Sequence, residues 1–197
     1  MTDIYKISKE SLLLLAEYNV WATQRLLNSL KPLSDDELHC DAGLFFGSIL
    51  GTLNHLLVGE HLLWYARFAQ SISPKMTLNA IVEQDPVQLF IELESRAKNW
   101  ITFLEQLDQE NLNSQFSYQT ASGEAKCLPY AATLLHVFKH ATQHRGQITA
   151  ALTGLGYECP ELDLVYMLVE KHASFLFLFY LLRSVESCVP QNPTPGI

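Results

Sequence analysis

The sequence predicts an all-α protein, a four-helix bundle with an additional C-terminal helix, and three observations carry that prediction. Four long windows repeat their apolar residues with the 3.6-residue period of a helix rather than the alternation of a strand. Most windows are also bounded by recognisable start or stop residues. Hydrophobic residues make up 48% of the 197 and charged ones only 17%, enough apolar material for a continuous core and too little charge for a disordered chain. The length favours one domain over two. We assign residues 1–186 to a single helical domain and 187–197 to a disordered, Pro-rich tail.

The first helix is expected from Ser8 to Leu30, where Leu12, Leu15, Ala16, Ala22, Leu26, Leu27 and Leu30 share one stripe and Lys31-Pro32 stops it. Asn19 and Thr23 fall on the same stripe, so two polar side chains face inward and hint at a polar centre. Ser34 and Glu37 have capping-box spacing and predict a short helix. A second long helix follows from Ser48 to Ala69, with Ile49, Leu53, Leu56, Leu57, Leu63, Trp64 and Phe68 as its apolar set. Asp85-Pro86 opens the third, an N-cap followed by proline at the first helical position; its register holds through Leu107 with no inward polar residue, so its role is packing. Phe116 and Tyr118 alternate with polar residues, as do Ala125 and Cys127 after the Ser122-Gly123 turn, which predicts a small hairpin. The fourth helix runs from Tyr130 to Leu155, with Gly156 just past its end. A fifth helical stretch is expected over Asp163 to Ser184. The connection between the second and third helices is long enough to cross the bundle or to turn tightly, so the topology stays open.

Charge and composition exclude several classes. With 13 Lys+Arg against 21 Asp+Glu the net charge is −8, which argues against nucleic acid, since phosphate contacts need a basic face. Met-Thr-Asp-Ile-Tyr-Lys lacks the basic start and long apolar run of a signal peptide, so the expected location is the cytoplasm. Ala173 to Leu182 is the most apolar stretch, yet it is half the length of about twenty residues that a spanning helix requires. No membrane partner is expected; Phe175, Phe177 and Phe179 are assigned to core or subunit packing. Cys40, Cys127, Cys159 and Cys188 match neither a disulfide framework nor a zinc ribbon and are expected reduced.

The histidines carry the chemistry. His136, His140 and His144 recur every four residues inside the fourth helix, so neighbours project from one face a turn apart. Two imidazoles at that spacing are a common way for a helix to offer a metal two ligands, as in HExxH enzymes. Helix-core packing explains such a spacing equally well on its own. At about 100° per residue, the apolar residues Val137, Ala141, Ile148 and Leu152 border His144 and His140 and leave His136 toward the rim. Lys139, Gln143 and Arg145 supply the polar faces elsewhere around this helix. A third ligand must come from another helix, and His55 fits, set in the otherwise apolar run around Leu53, Leu56 and Leu57. On the same projection His61 lies about 120° and Glu60 about 140° from His55, so neither faces the same point, and no general base is assigned. His39 and His172 lie outside the four long helices and are read as ordinary.

Three blocks then stand together in order: Tyr18-Asn19-Val20-Trp21-Ala22, Phe45 through Leu57, and His136 through Gln147. Together they resemble the signatures of the DinB family over about residues 12 to 170. The resemblance implies a four-helix bundle, usually a homodimer, with a three-histidine divalent-metal site. Transferred by position, the ligands are His55, His140 and His144, the set that the projection favours; His136, Asn19 and Gln147 are assigned to the pocket around them. Family members often carry Asn at the positions of Thr23 and Lys139 and His at that of Gln143, differences that spare every proposed ligand.

Three neutral imidazoles suit zinc first, with nickel or another first-row ion as alternatives. A three-ligand site leaves a coordination position open, the arrangement of catalytic rather than structural zinc. That position serves a low-molecular-weight thiol cosubstrate in transfer or isomerisation of a small electrophilic substrate, the chemistry to which the resemblance points. Water-based hydrolysis is the alternative. A rival of another class is a non-catalytic dimeric bundle whose histidines bind metal weakly or pair with one another.

Overall fold

The computed structural model describes residues 6–173. The chain divides into two compact units, Met1–Pro160 and Glu161–Ile197. The apolar stretch expected to continue to Leu182, with its three phenylalanines, and the Pro-rich tail lie outside the described residues.

In the first unit α1 (Lys9–Leu30) is capped by Ser8, whose hydroxyl accepts the Ser11 N–H at 3.1 Å. The capping box of α2 (Asp35–His39) is complete: Glu37 Oε2 accepts the Ser34 N–H at 2.8 Å and Ser34 Oγ accepts the Glu37 N–H at 3.3 Å. The Glu37 carboxylate also accepts the Tyr157 hydroxyl at 3.0 Å, which ties α2 to the segment beyond the last helix of the unit.

The second arm is one continuous rod of three segments: α3 (Ile49–Leu56), a π-helical stretch π1 (Leu57–Trp64) and α4 (Tyr65–Gln70). Every residue from Ile49 to His61 is buried, so this helix is enclosed on all sides. The expected third helix is two, α5 (Pro86–Ala97) and α6 (Asn99–Gln106). Between them the Ile101 N–H reaches back to the Lys98 carbonyl at 3.1 Å, a tight three-residue turn that keeps both Ala97 and Trp100 buried. A single turn, α7 (Gln109–Leu112), leads into the hairpin of β1 (Gln115–Gln119) and β2 (Ala125–Pro129), antiparallel with Ser117 opposite Cys127. The fourth arm is α8 (Tyr130–Gly154).

In the bundle α1 packs against α8, α8 against α3, α3 against α5 and α5 back against α1. Going round the ring, the arms therefore appear in the order first, fourth, second, third. The second connection joins neighbours, whereas the first and third cross between diagonal arms. One end is filled by an aromatic core in which Phe68, Trp100, Phe116 and Phe138 pack with Leu12, Leu104 and Leu134. Phe68 and Phe116 stack at 4.0 Å, so the hairpin closes that end as part of the core.

The second unit contains a helix over 164–173, with the phenol of Tyr166 hydrogen-bonded to Glu161. Among the described residues no helix is long and apolar enough to cross a membrane.

Candidate metal centre

His140 and His144 stand one turn apart on α8, and His55 comes from the last turn of α3, on the neighbouring arm. His55 and His144 are buried and His140 is half-buried. The three Nε2 atoms converge: His55 to His140 is 3.0 Å and His144 to His140 is 3.2 Å. One ligand atom from each of the three lies within 4.8 Å of the others, and they form the single group of this kind among the described residues.

The outer nitrogens fix the tautomers. His55 Nδ1–H donates to the Leu78 carbonyl at 2.8 Å and His144 Nδ1–H donates to Gln147 Oε1 at 2.9 Å. In a neutral ring each then presents a bare Nε2 lone pair to the centre. His140 has one Nε2 between those two lone pairs and can donate a proton to only one of them. The arrangement is thus over-supplied with lone pairs aimed at one point, which a divalent cation relieves. A tetrahedral zinc with Zn–N bonds of about 2.0–2.1 Å sets its ligand nitrogens about 3.3 Å apart, close to the observed spacings. The residues present fit the ion.

Burial prepares the donors. Desolvation pushes His55 down to about 4, and desolvation together with the neighbouring imidazoles pushes His140 down to about 3. His144 is also lowered by burial, against the opposing pull of its bond to Gln147. All three are therefore neutral near pH 7, as metal binding requires.

Two glycines make the packing possible. At Gly51 a Cβ would stand 2.3 Å from the Phe46 carbonyl oxygen; the bare Cα lets the loop before α3 lie against the helix. That loop sets the Phe46 ring over His55, stacked at 3.7 Å. At Gly59 a Cβ would meet His140 Cε1 at 3.3 Å, so the π1 backbone forms a close floor beneath that ring. The long connection 71–85 is held over His55 by Asn54. Its Oδ1 accepts the Val82 and Glu83 N–H groups at 2.9 Å, and its Nδ2 donates to the Glu83 carbonyl at 2.8 Å.

Of the remaining candidates, Gln147 bonds His144, His136 lines the cavity beside His55 and His140, and Asn19 lies apart. His136 is exposed at the rim, 5.6 Å from His140 and 5.4 Å from Trp64 between ring centres. Asn19 sits in a separate buried layer, where its amide donates to Glu60 Oε2 at 3.3 Å and its oxygen accepts from Arg145 Nη1. Arg145 corrects the expectation of a polar surface face: it is 2% exposed, stacks on Tyr18 and lies in the bundle centre. The inward stripe of Asn19 and Thr23 was the sequence signal for this layer. His61 is buried beside Glu60, 3.7 Å away, and His39 bonds the Asp35 carbonyl.

A four-arm bundle in which two arms bring three imidazole lone pairs to one point defines a protein of the histidine-site bundle class. Similarity to known proteins gives its family. The DinB family model matches residues 7–172, and the chain is 33% identical over 155 residues to Protein DinB of Bacillus subtilis (strain 168), spanning 76% of this chain and 88% of that one. The chain belongs to the DinB family. Among solved structures it is similar to YfiT from Bacillus subtilis, described as a probable metal-dependent hydrolase with an unusual four-helix bundle topology. The TM-score is 0.61 at 20% identity, over 80% of this chain and 95% of YfiT. At that identity the likeness carries the fold.

Gln147 offers a direct check on the tautomer argument. Gln147→Leu frees the His144 ring and its protonated nitrogen, and the ion's affinity is expected to fall about 10–100-fold. Competition against a chromophoric chelator measures it; unchanged affinity would show that Gln147 does not orient the ligand.

Proposed function

We propose that this protein is a divalent-metal-dependent enzyme in which His55, His140 and His144 hold the ion, zinc first among candidates, and that it transfers or isomerises small electrophiles with a low-molecular-weight thiol. The observation that carries this reading is the convergence of three neutral Nε2 atoms with no fourth side chain joining them among the described residues. When bound, the ion supplies a Lewis acid that favours the thiolate of an incoming thiol at neutral pH. The chain does the rest. Leu78 and Gln147 fix the ring tautomers, Phe46 covers His55 and shields one side from water, and the cavity beside His55 and His140 admits the substrate. Glu60 lies in the separate buried layer with Asn19 and Arg145, so no carboxylate is assigned as base.

Hydrolysis is the second reading, supported by the description of YfiT. Cobalt substitution separates the two. The thiol reading expects added thiol to produce a sulfur-to-cobalt charge-transfer band and a change in the visible spectrum; no such band with any thiol tested, alongside ester or amide turnover, favours hydrolysis. Equal turnover by metal-free and metal-loaded protein rejects both.

We also propose a homodimer. The family resemblance supports it, as do Val87 and Ile91, 63% and 53% exposed on α5. Sedimentation at micromolar concentration is expected to give twice the 22.3 kDa chain mass, and a monomer rejects the association.

A further inference from the structure

Beside the histidines a cavity of about 300 Å³ is lined by His55, His140, Gly59, Trp64, Arg67 and Tyr118, among others. Arg67 is its odd member. It is only 7% exposed, its guanidinium carbon lies 4.7 Å from the Trp64 ring centre and 4.9 Å from that of Tyr118, and its Nε has no hydrogen-bond partner. No carboxylate pairs with it among the described residues. A buried guanidinium normally has a counter-anion, because desolvating an unpaired charge is costly and aromatic faces offset only part of that cost. Tyr118 reaches it from β1, so the hairpin builds one wall of the same cavity that α4 and the histidines complete.

We propose that Arg67 is a specificity-determining residue which pairs with an oxyanion of the substrate, a carboxylate in the first instance, while the substrate's reacting end lies at the three histidines. This rests on the metal reading above and adds the substrate class: a small molecule carrying an anionic group at one end. The planar guanidinium suits the role because it can give two parallel N–H bonds to one carboxylate, whereas Trp64 and Tyr118 hold its plane in place.

The test uses calorimetric titration of the zinc-loaded protein, with its metal content measured first. The probes are 3-mercaptopropionate, its methyl ester, and glutarate, which has carboxylates and no thiol. The acid thiol is expected to bind at least about tenfold more tightly than its ester. Arg67→Met should abolish that preference, bringing the acid down to the ester's affinity, with metal content and ester binding unchanged. Arg67→Lys, which keeps the charge and loses the fork, should fall between. Acid and ester binding equally to the unaltered protein overturns the proposal whether or not the variants fold. Arg67-dependent glutarate binding without any thiol binding upholds the anion site and rejects the thiol reading. If the protein takes up no ion, the metal reading fails, and glutarate titration of the metal-free chain and its Arg67→Lys form still decides the role of Arg67. No dependence on Arg67 for either acid overturns it.

Discussion

His140→Ala is expected to reduce the bound ion from about one per chain to less than about a tenth, because only two neutral imidazoles remain and two ligands do not hold a divalent ion firmly. His140 is the ring whose Nε2 touches both of its partners, at 3.0 and 3.2 Å, so its loss opens the site more than the loss of one ligand among three implies. His55→Ala and His144→Ala should act in the same direction, while His136→Ala, at the exposed rim, should leave occupancy near that of the unaltered protein. Metal analysis after gel filtration reads all four. Loss on His136→Ala together with retention on His140→Ala would falsify the ligand assignment. The pH dependence follows from the same burial. An ordinary imidazole near 6.5 predicts that protons displace the ion below about pH 6. Here His55 is held down to about 4 and His140 to about 3, so competition by protons begins lower and the ion should survive at about pH 5.5. The sign for the metal-free fold is a cost. Below about 6.5 the unfolded chain takes up protons that the folded histidines refuse, so stability declines as pH falls toward the lowered values.

The histidine site was legible because its signal is local. His140 and His144 one turn apart, and an apolar run around His55, need only helical period to be read. The bundle was legible for the same reason. Its ring order was not, since diagonal crossings are set by packing between arms and no sequence period reports them. The projection assumes about 100° per residue, and the wider π turn across Leu57–Trp64 rotates each residue less; Glu60 and His61 still stand apart from the three histidines, as the projection expects, buried because this helix is enclosed on all sides. Such stretches occur often at functional sites. Here the same stretch carries Gly59 beneath His140. Helical period gives Asn54 and Phe46 no task within the matched blocks, because the partners of Asn54 lie in a loop and Phe46 itself lies in one. The ordinary rule that arginine prefers the surface places Arg145 on a polar face, whereas it is buried. The rule fails where a buried acid and amide are waiting for it.

Arg145→Met is expected to destabilise the fold by at least about 1 kcal/mol at pH 8, because Glu60, held near 7 and ionised there, loses the attraction of the guanidinium and must take up a proton. Glu60 is 2% exposed, with Asn19 donating to one carboxylate oxygen and no partner on the other. Desolvation raises it to about 7 even against the attraction of Arg145 and the Asn19 bond, both of which pull it down. Removing the guanidinium removes the first of those opposing pulls, so Glu60 should take up a proton at still higher pH. A carboxyl raised in the folded state is bound to its proton more tightly there than in the unfolded chain, whose value is near 4.5. Its contribution is therefore most favourable below about 4.5 and is lost as pH rises through the folded value. The penalty of Arg145→Met should accordingly be smaller at pH 5 than at pH 8. Pairing it with Glu60→Gln removes the unpaired charge, and most of the lost stability should return at pH 8, giving a coupling of at least about 1 kcal/mol between the two positions. Urea unfolding of the two single variants and the double variant at both pH values measures this. Additive losses that do not change with pH would mean that Arg145 acts through its packing on Tyr18 rather than through the buried acid.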